Sequence, residues 1–299
     1  MSNKAGSTEL RLSYYPDITQ YRSQEEIRSE IEVFAQALQD ELCRITGLSY
    51  RIIVLPVMQV SEQLESAASE GCEIALMRPL AYIYAHRRNP LVDVGAVARR
   101  RTDGGGGDDY FAQVYVHERI GVSSLEELCN KCQNPLPERP TIGFGDSLST
   151  SNFLVNAALL KESGIHPLTC FRRIEFFGGH DRVAQAVYDG RADVGAGHDG
   201  VIADLAKQRG FEDAQQVMHC IGRKYIHSDP VALIVRDDSV RRLIQDSLLA
   251  IEKMDGVKKA LKIFWGEVCG LGPTTHEKYK SIEDSIDALG ICYDELSVK

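Results

Sequence analysis

The sequence predicts an α/β fold built from two successive segments in which strands and helices alternate. In the first segment, strand patterns at 10–15, 50–55 and 73–77 flank a long helical pattern at 25–45 and a short one at 61–68. This β-α-β-α-β order is typical of a parallel sheet with right-handed crossovers. A second unit of the same layout follows from residue 140, so we expect two α/β lobes.

Composition and charge limit the classes of partner. The 299 residues are 43% apolar and 26% charged, as in an ordinary globular protein. The net charge of −9 repels nucleic acid and anionic membrane surfaces, so we predict no nucleic-acid partner. No apolar run approaches the roughly 20 residues of a membrane span, so we predict no direct membrane insertion. The N-terminus lacks the pattern of a basic segment followed by an apolar one.

The eight cysteines show no compact disulfide framework. Several lie in apolar segments, which is typical of free buried thiols and favours a reducing compartment. We therefore expect the chain as given to be cytoplasmic, or periplasmic or extracellular if a leader was removed. Cys129 and Cys132 have zinc or redox spacing, but the residues after them read as a loop and no second pair stands at finger spacing. We predict no metal site.

Between the two α/β segments the pattern changes. A further strand is expected at 92–98. The hydrophilic stretch 99–109 contains four consecutive glycines, which cost much backbone entropy to order, so it is predicted to be a mobile loop. Another strand is expected at 110–116.

Three hydroxyl side chains stand where the first helix of the second lobe should start. A strand at 141–144 runs through a glycine turn into Ser149, Thr150 and Ser151, and apolar periodicity continues to Gly164. The first turn of a helix has unpaired N–H donors and the positive end of the helix dipole. The hydroxyls can therefore cap the helix, or join those N–H groups around a tetrahedral oxyanion.

Two further strand ends present polar side chains. A Gly-Gly turn after the strand end at Phe176-Phe177 leads into His180, and a short strand at 192–197 ends at His198 and Asp199. Ligands of open α/β sheets bind beyond the carboxyl ends of strands. His180 and Asp199 are therefore candidate ligand residues.

The C-terminal region returns to the first lobe. A strand is expected in 224–235, then one long helix at 239–256 and a helical, turn-rich tail at 263–296. Phe264 and Trp265 in that tail are predicted to be core residues.

Three motifs in this order resemble the phosphonate/phosphite/phosphate-binding solute receptors of ABC transporters. They are Gly145-Asp146-Ser147-Leu148-Ser149-Thr150-Ser151, His180-Asp181, and the run from Ala186 through Asp193-Val194. The resemblance implies a two-lobed type 2 periplasmic-binding-protein-like fold, in which each lobe is a mostly parallel sheet flanked by helices and the ligand cleft lies between the lobes. Residues 1–107 and 229–299 would form lobe I and 108–228 lobe II, with hinges near 104–110 and 224–231.

The resemblance also implies roles for residues of lobe I. Tyr82 matches the register of a Gly-Pro-x-x-Tyr segment whose tyrosine reaches the ligand, and Tyr15 is a weaker candidate of the same kind. Arg78 replaces the usual glycine, and either adds a cation to the pocket or lies at the surface and alters the turn. His227 replaces the proline of an Ile-Pro-x-Asp-Pro segment in which Asp229 keeps register.

The two acidic candidates suggest a ligand that carries an amine. In receptors for amine-bearing phosphonates, acidic residues near the positions of Asp199 and Asp229 hold the ammonium group. The alternatives are that Asp229 holds the hinge turn and that Asp199 caps the following helix.

The function implied is capture of a phosphorus oxyanion (phosphonate, phosphite or phosphate) by hinge closure, for ABC-type uptake or for sensing. A small anionic ligand and an ABC-transporter permease are the expected partners, and no cofactor is predicted. One alternative is an enzyme of the same fold, similar to thiamine-pyrimidine synthases, using His180-Asp181 and His198-Asp199. Another is a cytosolic ligand-sensing domain. No nucleophile elbow, HExxH or dinucleotide motif is present, so we predict no catalytic residues.

Overall fold

The computed structural model describes residues 7–16, 22–102, 105–266 and 268–290. The chain forms two compact units. Unit 1 comprises Met1–Asp109 and His227–Tyr279, and unit 2 comprises Tyr110–Ile226 and Lys280–Lys299. The chain passes between the units after Asp109, after Ile226 and after Tyr279.

Strands and helices alternate through most of the chain. The first part of unit 1 contains β1 (Thr8–Ser13), α1 (Gln24–Thr46), β2 (Tyr50–Val54), α2 (Val60–Ala68), β3 (Ile74–Leu76), α3 (Pro79–Arg88), β4 (Val92–Thr102) and β5 (Gly105–Gly107). There follow β6 (Asp109–His117), α4 (Leu125–Cys132), β7 (Thr141–Phe144), α5 (Val155–Glu162), β8 (Arg173–Phe176), α6 (His180–Tyr188), β9 (Val194–His198), α7 (Val201–Ala206), α8 (Ala214–Val217) and β10 (Met218–His227). The last elements are β11 (Pro230–Ile234), α9 (Asp238–Ile251), α10 (Asp255–Trp265), β12 (Val268–Gly272) and α11 (Lys280–Leu289).

The sheet of unit 1 is mixed. Its strand order is β12-β4-β11-β3-β1-β2, and β5 pairs with β4. The predicted β-α-β-α-β segment supplies the parallel part, since β1 pairs in parallel with both β2 and β3. The strand that returns from unit 2, β11, inserts antiparallel between β3 and β4. Among the described strand pairs of unit 1, parallel pairing is thus confined to β1, β2 and β3.

Local sequence signals set both ends of helix α1. Ser23 caps the N-terminus, where its Oγ accepts a hydrogen bond from the N–H of Glu26 at 3.1 Å. Gly47 ends the helix in the left-handed region at φ 67°. The face between them that packs on the sheet carries buried apolar residues at spacings of three and four: Ile27, Ile31, Phe34, Leu38 and Leu42.

The glycine-rich stretch after Ala98 forms strands, which corrects the prediction of a mobile loop. β4 continues to Thr102 and then pairs with β5, with Arg100 opposite Gly107 and Thr102 opposite Gly105. Residues 103–104 lie outside the described part of the chain. The hydrogen bonds between β4 and β5 pair backbone N–H and C=O groups that a loop would leave to water.

The sheet of unit 2 has the order β10-β6-β9-β7-β8. β7 pairs in parallel with β8 and β9, whereas β6 runs antiparallel to β9. A buried cluster that includes Tyr115, Val183, Val187 and Leu205 packs α6 and α7 against this sheet. The carboxyl ends of β7 and β9 therefore lie next to the start of α6.

The C-terminal region differs from its prediction in three ways. The single helix expected at 239–256 is two helices, because Met254, at the N-cap position of α10, is extended at ψ 129°. Strand β12, in the predicted tail, adds to the edge of the unit 1 sheet. Helix α11, which the sequence assigned to lobe I, contacts α5 in unit 2.

No helix among the described residues is long and apolar enough to span a membrane.

Candidate functional site

The turn that follows β7 is held by its own backbone and side chains. The N–H of Leu148 donates to Asp146 Oδ1 at 2.7 Å, and the N–H of Ser149 donates to the Asp146 carbonyl at 2.9 Å. Ser149 then caps the helical segment, because its Oγ accepts from the N–H of Asn152 at 3.1 Å. The predicted cap is confirmed, and it is compatible with ligand binding: since Ser149 Oγ acts as an acceptor there, its own proton can be donated elsewhere.

The helical segment does not start as an α-helix. Thr150–Leu154 forms a π-helical turn, in which the N–H of Leu154 donates to the Ser149 carbonyl at 3.1 Å and the N–H of Val155 donates to the Thr150 carbonyl. This turn is wider than an α-helical one, and such turns are frequent at functional sites. The hydroxyl residues Ser149, Thr150 and Ser151 all lie in or next to it and are buried.

The side chain of Asn156 explains the irregular turn. Its Nδ2 donates to the Ser151 carbonyl at 2.5 Å and to the Gly197 carbonyl at 3.2 Å. The Ser151 carbonyl is therefore tied to the end of β9 through a side chain. Asn156 fixes the hydroxyl turn against the strand end that precedes His198.

Two histidines lie beside the hydroxyl turn. His180 is the first residue of α6, and its Nε2 lies 3.5 Å from Ser151 Oγ. The ring of His198, at the end of β9, meets the His180 ring edge-on with centroids 4.8 Å apart. The structure thus brings Ser151, His180 and His198 together, with Ser149 at the N-cap of the same turn, and their role in ligand binding stays a prediction.

Asp199 lies at the edge of this group and is exposed. Its N–H donates to the carbonyl of Phe111 at 3.0 Å. The sequence offered capping of the next helix as one role for Asp199, but the N-cap of α7 is Gly200. The N–H of Gly200 donates to His198 Nδ1 at 3.1 Å, so the neighbouring histidine performs that local bonding instead.

Two asparagines are functional candidates that the sequence interpretation missed. Asn152 and Asn156 are buried, and their Oδ1 atoms have no hydrogen-bond partner within the described part of the chain. A buried amide oxygen without a partner costs free energy unless water or a ligand satisfies it. Their spacing of four residues, on one face of an otherwise apolar helix, was the available signal.

The predicted tyrosines of unit 1 are buried and have partners. Trp265 Nε1 donates to the hydroxyl oxygen of Tyr15 at 2.8 Å. Burial raises the pKa of Tyr15 far above its ordinary value, so its hydroxyl stays protonated. The Arg78 guanidinium lies 5.0 Å from the Tyr15 ring centroid, so Arg78 supplies a partly buried cation rather than a surface residue.

Tyr82 lies in a cluster of aromatic rings. Its hydroxyl and His276 Nδ1 are 2.7 Å apart in a hydrogen bond, and the Tyr279 ring meets it edge-on at 5.1 Å between centroids. His276 in turn stacks on His86 at 3.9 Å. A ligand that uses the Tyr82 hydroxyl therefore shares it with His276.

Asp229 is buried and ion-paired. Its carboxylate pairs with the Arg100 guanidinium, whose Nε also donates to Ser228 Oγ at 3.0 Å. The Asp229 carbonyl accepts from the N–H of Ala98 at 2.9 Å, which joins the segment before β11 to β4. These bonds agree with the alternative in which Asp229 holds the turn.

His227, the residue that replaces the proline of the family segment, is also buried. Its Nδ1 lies 2.8 Å from Asp109 Oδ1, and its Nε2 lies 2.7 Å from Thr274 Oγ1. The structure shows that it links the first residue of β6 to the segment after β12.

Within the described residues, no group of three or more His, Cys, Asp or Glu side chains is placed to hold a metal ion.

Comparison with known proteins identifies the family. PhnD1 of Prochlorococcus marinus, solved in complex with methylphosphonate, is 17% identical with a TM-score of 0.67, over 95% of this chain and 98% of that chain. A binding-protein component of an ABC phosphonate transporter of Pseudomonas aeruginosa is 16% identical with a TM-score of 0.64, over 94% of this chain and 86% of that chain. A Xanthomonas citri protein bound to ATP is 14% identical with a TM-score of 0.70, over 95% of this chain and 98% of that chain.

At these identities the likeness establishes the fold, and it confirms the predicted fold class. The family model for the phosphonate periplasmic substrate-binding proteins of ABC transporters matches residues 18–279, which is most of the chain. The chain therefore belongs to the phosphonate-binding family of ABC-transporter substrate-binding proteins.

Proposed function

We propose that the hydroxyl turn of unit 2, Ser149–Ser151, binds the oxygen atoms of a phosphonate together with His180. The observation that carries this proposal is the π-helical turn with three buried hydroxyl residues, one of which lies 3.5 Å from His180 Nε2. Membership of a phosphonate-binding family supports it. So does the methylphosphonate found in a relative of the same fold.

The chemistry of the turn suits a tetrahedral oxyanion. Hydroxyl and N–H groups at the start of a helical segment are donors, and each bond to a charged oxygen is worth roughly 1.5–3 kcal/mol. The donors are neutral, so they bind an anion without adding a buried charge. His180 contributes either an N–H donor or, when protonated, a cation.

The ion pair of Asp229 bears on whether the bound phosphonate carries an amine. Because Arg100 already neutralises this carboxylate, an ammonium group would have to compete with a guanidinium for it. Asp199 has no ion pair among the described residues, but it is exposed, so water screens its attraction for an ammonium group. We therefore propose that methylphosphonate binds at least as tightly as 2-aminoethylphosphonate.

Calorimetric titration of the purified protein tests this site. Phosphate, phosphite, methylphosphonate and 2-aminoethylphosphonate would be compared on the parent protein and on Ser151→Ala. Ser163→Ala is the matched control, since Ser163 is the C-cap of α5, at the other end of the same helix, and its Oγ donates to the Leu159 carbonyl at 2.9 Å. Loss of one charge-assisted bond predicts affinity about 10- to 100-fold weaker in Ser151→Ala.

The outcomes are separable. Equal affinity in Ser151→Ala and Ser163→Ala would remove the hydroxyl turn from the site. Binding of none of the four anions would contradict the proposed function. An Asp229→Asn variant that loses the amine-bearing ligand selectively would restore the ammonium role of Asp229 and contradict the preference for methylphosphonate.

Two further proposals follow from family membership. The partner of the loaded protein would be an ABC-transporter permease, which ligand-dependent stimulation of the transporter's ATPase activity would test. The bound phosphonate would be released unchanged, which a phosphorus NMR spectrum of the ligand after prolonged incubation would check. Capture by hinge closure and the compartment of the chain stay predictions, to be tested by small-angle scattering with and without ligand and by cell fractionation.

A further inference from the structure

Two exposed aromatic side chains lie in contact on the sheet of unit 2. Phe111, on β6, is 41% exposed, and Tyr225, on β10, is 38% exposed. Their ring centroids are 6.4 Å apart and the ring planes meet at 81°, so one ring presents its edge to the other. The two rings, which we call the aromatic corner, therefore form an apolar surface that is open to water.

The aromatic corner lies at the same edge of the sheet as the hydroxyl turn. The hydroxyl turn follows β7, and β9 is parallel to β7, so both strands end at this edge. β6 runs antiparallel to β9, with Ala112 opposite His198, so the first residues of β6 lie at this edge too. The N–H of Asp199 donates to the Phe111 carbonyl at 3.0 Å, which holds Phe111 beside the end of β9.

Phe111 also shares a face of the sheet with the start of α6. Alternate residues of a strand point to the same face, so Phe111 and Tyr115 lie on one face of β6. Tyr115 belongs to the buried cluster that packs α6 and α7 on the sheet. His180 is the first residue of α6, and its Nε2 lies 3.5 Å from Ser151 Oγ. Phe111 and His180 thus occupy the same face and the same edge.

The strand order sets the distance between the aromatic corner and the hydroxyl turn. β9 separates β6 from β7, so Phe111 lies two strand spacings, about 10 Å, from the end of β7 along the edge. A methyl group on phosphorus is too short to reach the corner from the turn. An aromatic ring on phosphorus spans most of that distance, and van der Waals contact with the corner covers the rest.

The surroundings of the aromatic corner favour an uncharged group. An apolar group placed against the two rings removes apolar surface from water on both partners, which is favourable in proportion to the area buried. An ammonium group would gain less. It is strongly hydrated, and the neighbouring Asp199 carboxylate is exposed, so water screens their attraction.

We propose that the aromatic corner binds the organic group of the phosphonate, and that this group is an aromatic ring. The inference rests on the proposed function, in which the hydroxyl turn and His180 hold the phosphonate oxygens. It narrows the class of ligand, because the protein then prefers arylphosphonates to methylphosphonate. Apolar walls combined with a few polar groups that set orientation are the usual composition of small-molecule sites.

Calorimetry with methylphosphonate and phenylphosphonate tests the aromatic corner. We expect the parent protein to bind phenylphosphonate at least about tenfold more tightly, because the ring covers both aromatic side chains. Phe111→Ala and Tyr225→Ala should each reduce this preference to within about threefold. Leu168→Ala is the matched control and should keep the preference: Leu168 is 45% exposed, but it lies before the start of β8 and not at the end of a strand.

Three results would overturn the inference and leave the oxyanion site in place. They are equal affinity of the parent for the two phosphonates, a preference that survives in both aromatic variants, and tighter binding of 2-aminoethylphosphonate than of phenylphosphonate that Asp199→Asn abolishes. Binding of neither methylphosphonate nor phenylphosphonate would instead contradict the proposed function, and the inference with it. Because each variant is judged by the ratio of its two affinities, partial unfolding of a variant does not imitate the expected loss.

Discussion

Replacing Arg100 by methionine would remove the counter-ion of a carboxylate that the protein buries. The side chain of Asp229 is 6% exposed, whereas that of Arg100 is 21% exposed. Removing one partner of a buried ion pair costs about 3–5 kcal/mol, because the remaining charge has neither water nor a counter-ion. Since this pair is partly open to water on the arginine side, we expect Arg100→Met to lower the free energy of unfolding by about 3 kcal/mol.

The same reasoning predicts an asymmetry. Asp229→Asn should cost less than Arg100→Met, because the charge that it leaves behind is the more exposed one. The double variant should be more stable than the sum of the two single losses implies, because it leaves no buried charge. Arg99→Met is the matched control: Arg99 pairs with Asp108 at 3.3 Å, both side chains are about 40% exposed, and such pairs contribute at most about 1 kcal/mol.

Urea unfolding, followed by the fluorescence of the single tryptophan, is a suitable assay. Trp265 is buried in unit 1, the same unit as the ion pair, so its emission reports on the correct transition. The reasoning fails if Arg100→Met is no more destabilising than Arg99→Met. It also fails if the losses of the single variants simply add in the double variant.

Three other predictions concern single positions. Gly145→Ala should weaken methylphosphonate binding at least tenfold and cost about 1–3 kcal/mol of stability, because the new Cβ would overlap the Asn152 amide. Calorimetry would measure the binding and urea unfolding the stability. No change in either would show that Asn152 moves away without cost and would contradict the prediction. Tyr15→Phe should cost about 1–3 kcal/mol, because the buried Trp265 Nε1 loses its acceptor, and an unchanged urea midpoint would contradict this. Hydrogen bonds from the Ser239 hydroxyl and N–H lower the pKa of Asp237, so the stabilisation by this carboxylate is present above its unfolded pKa near 4 and is lost as the pH falls through its lower folded pKa. The thermal midpoints of the parent and of Asp237→Asn should therefore differ at pH 7 and converge at pH 2–3. A difference that stays constant with pH would refute this prediction.

The sequence predicted those parts of the fold that rest on local pattern. The helix α1 and the strands β1 to β3 carry clear periodicity and punctuation, and their order fixed the parallel core of unit 1. Strand β12 was missed because it is five residues long and contains two glycines, Gly270 and Gly272. β5 was missed because a run of glycines has no side-chain pattern, and its pairing partner, β4, determines its structure.

In the candidate site, too, local sequence pattern indicated some features and not others. Ser149, Ser151 and His180 were predictable, because each follows a strand end and the ends of neighbouring strands meet. The partners of Tyr82, Tyr15 and Asp229 were not, because these partners lie far away in sequence and nothing local indicates them. A buried hydroxyl or carboxylate must find a partner, but only the fold decides which residue it is.

The placement of β11 has a consequence for how the protein is made. β11 occupies the interior of the unit 1 sheet, between β3 and β4, although residues 110–226 of the chain separate it from those strands. During synthesis, more than a hundred further residues must therefore be added after β3 and β4 before β11, which pairs with both, emerges from the ribosome. The five strands of unit 2 are contiguous in the chain and meet no such delay. We expect a nascent chain that ends near residue 226 to protect amides of β7 and β9 from hydrogen exchange while those of β3 and β4 still exchange.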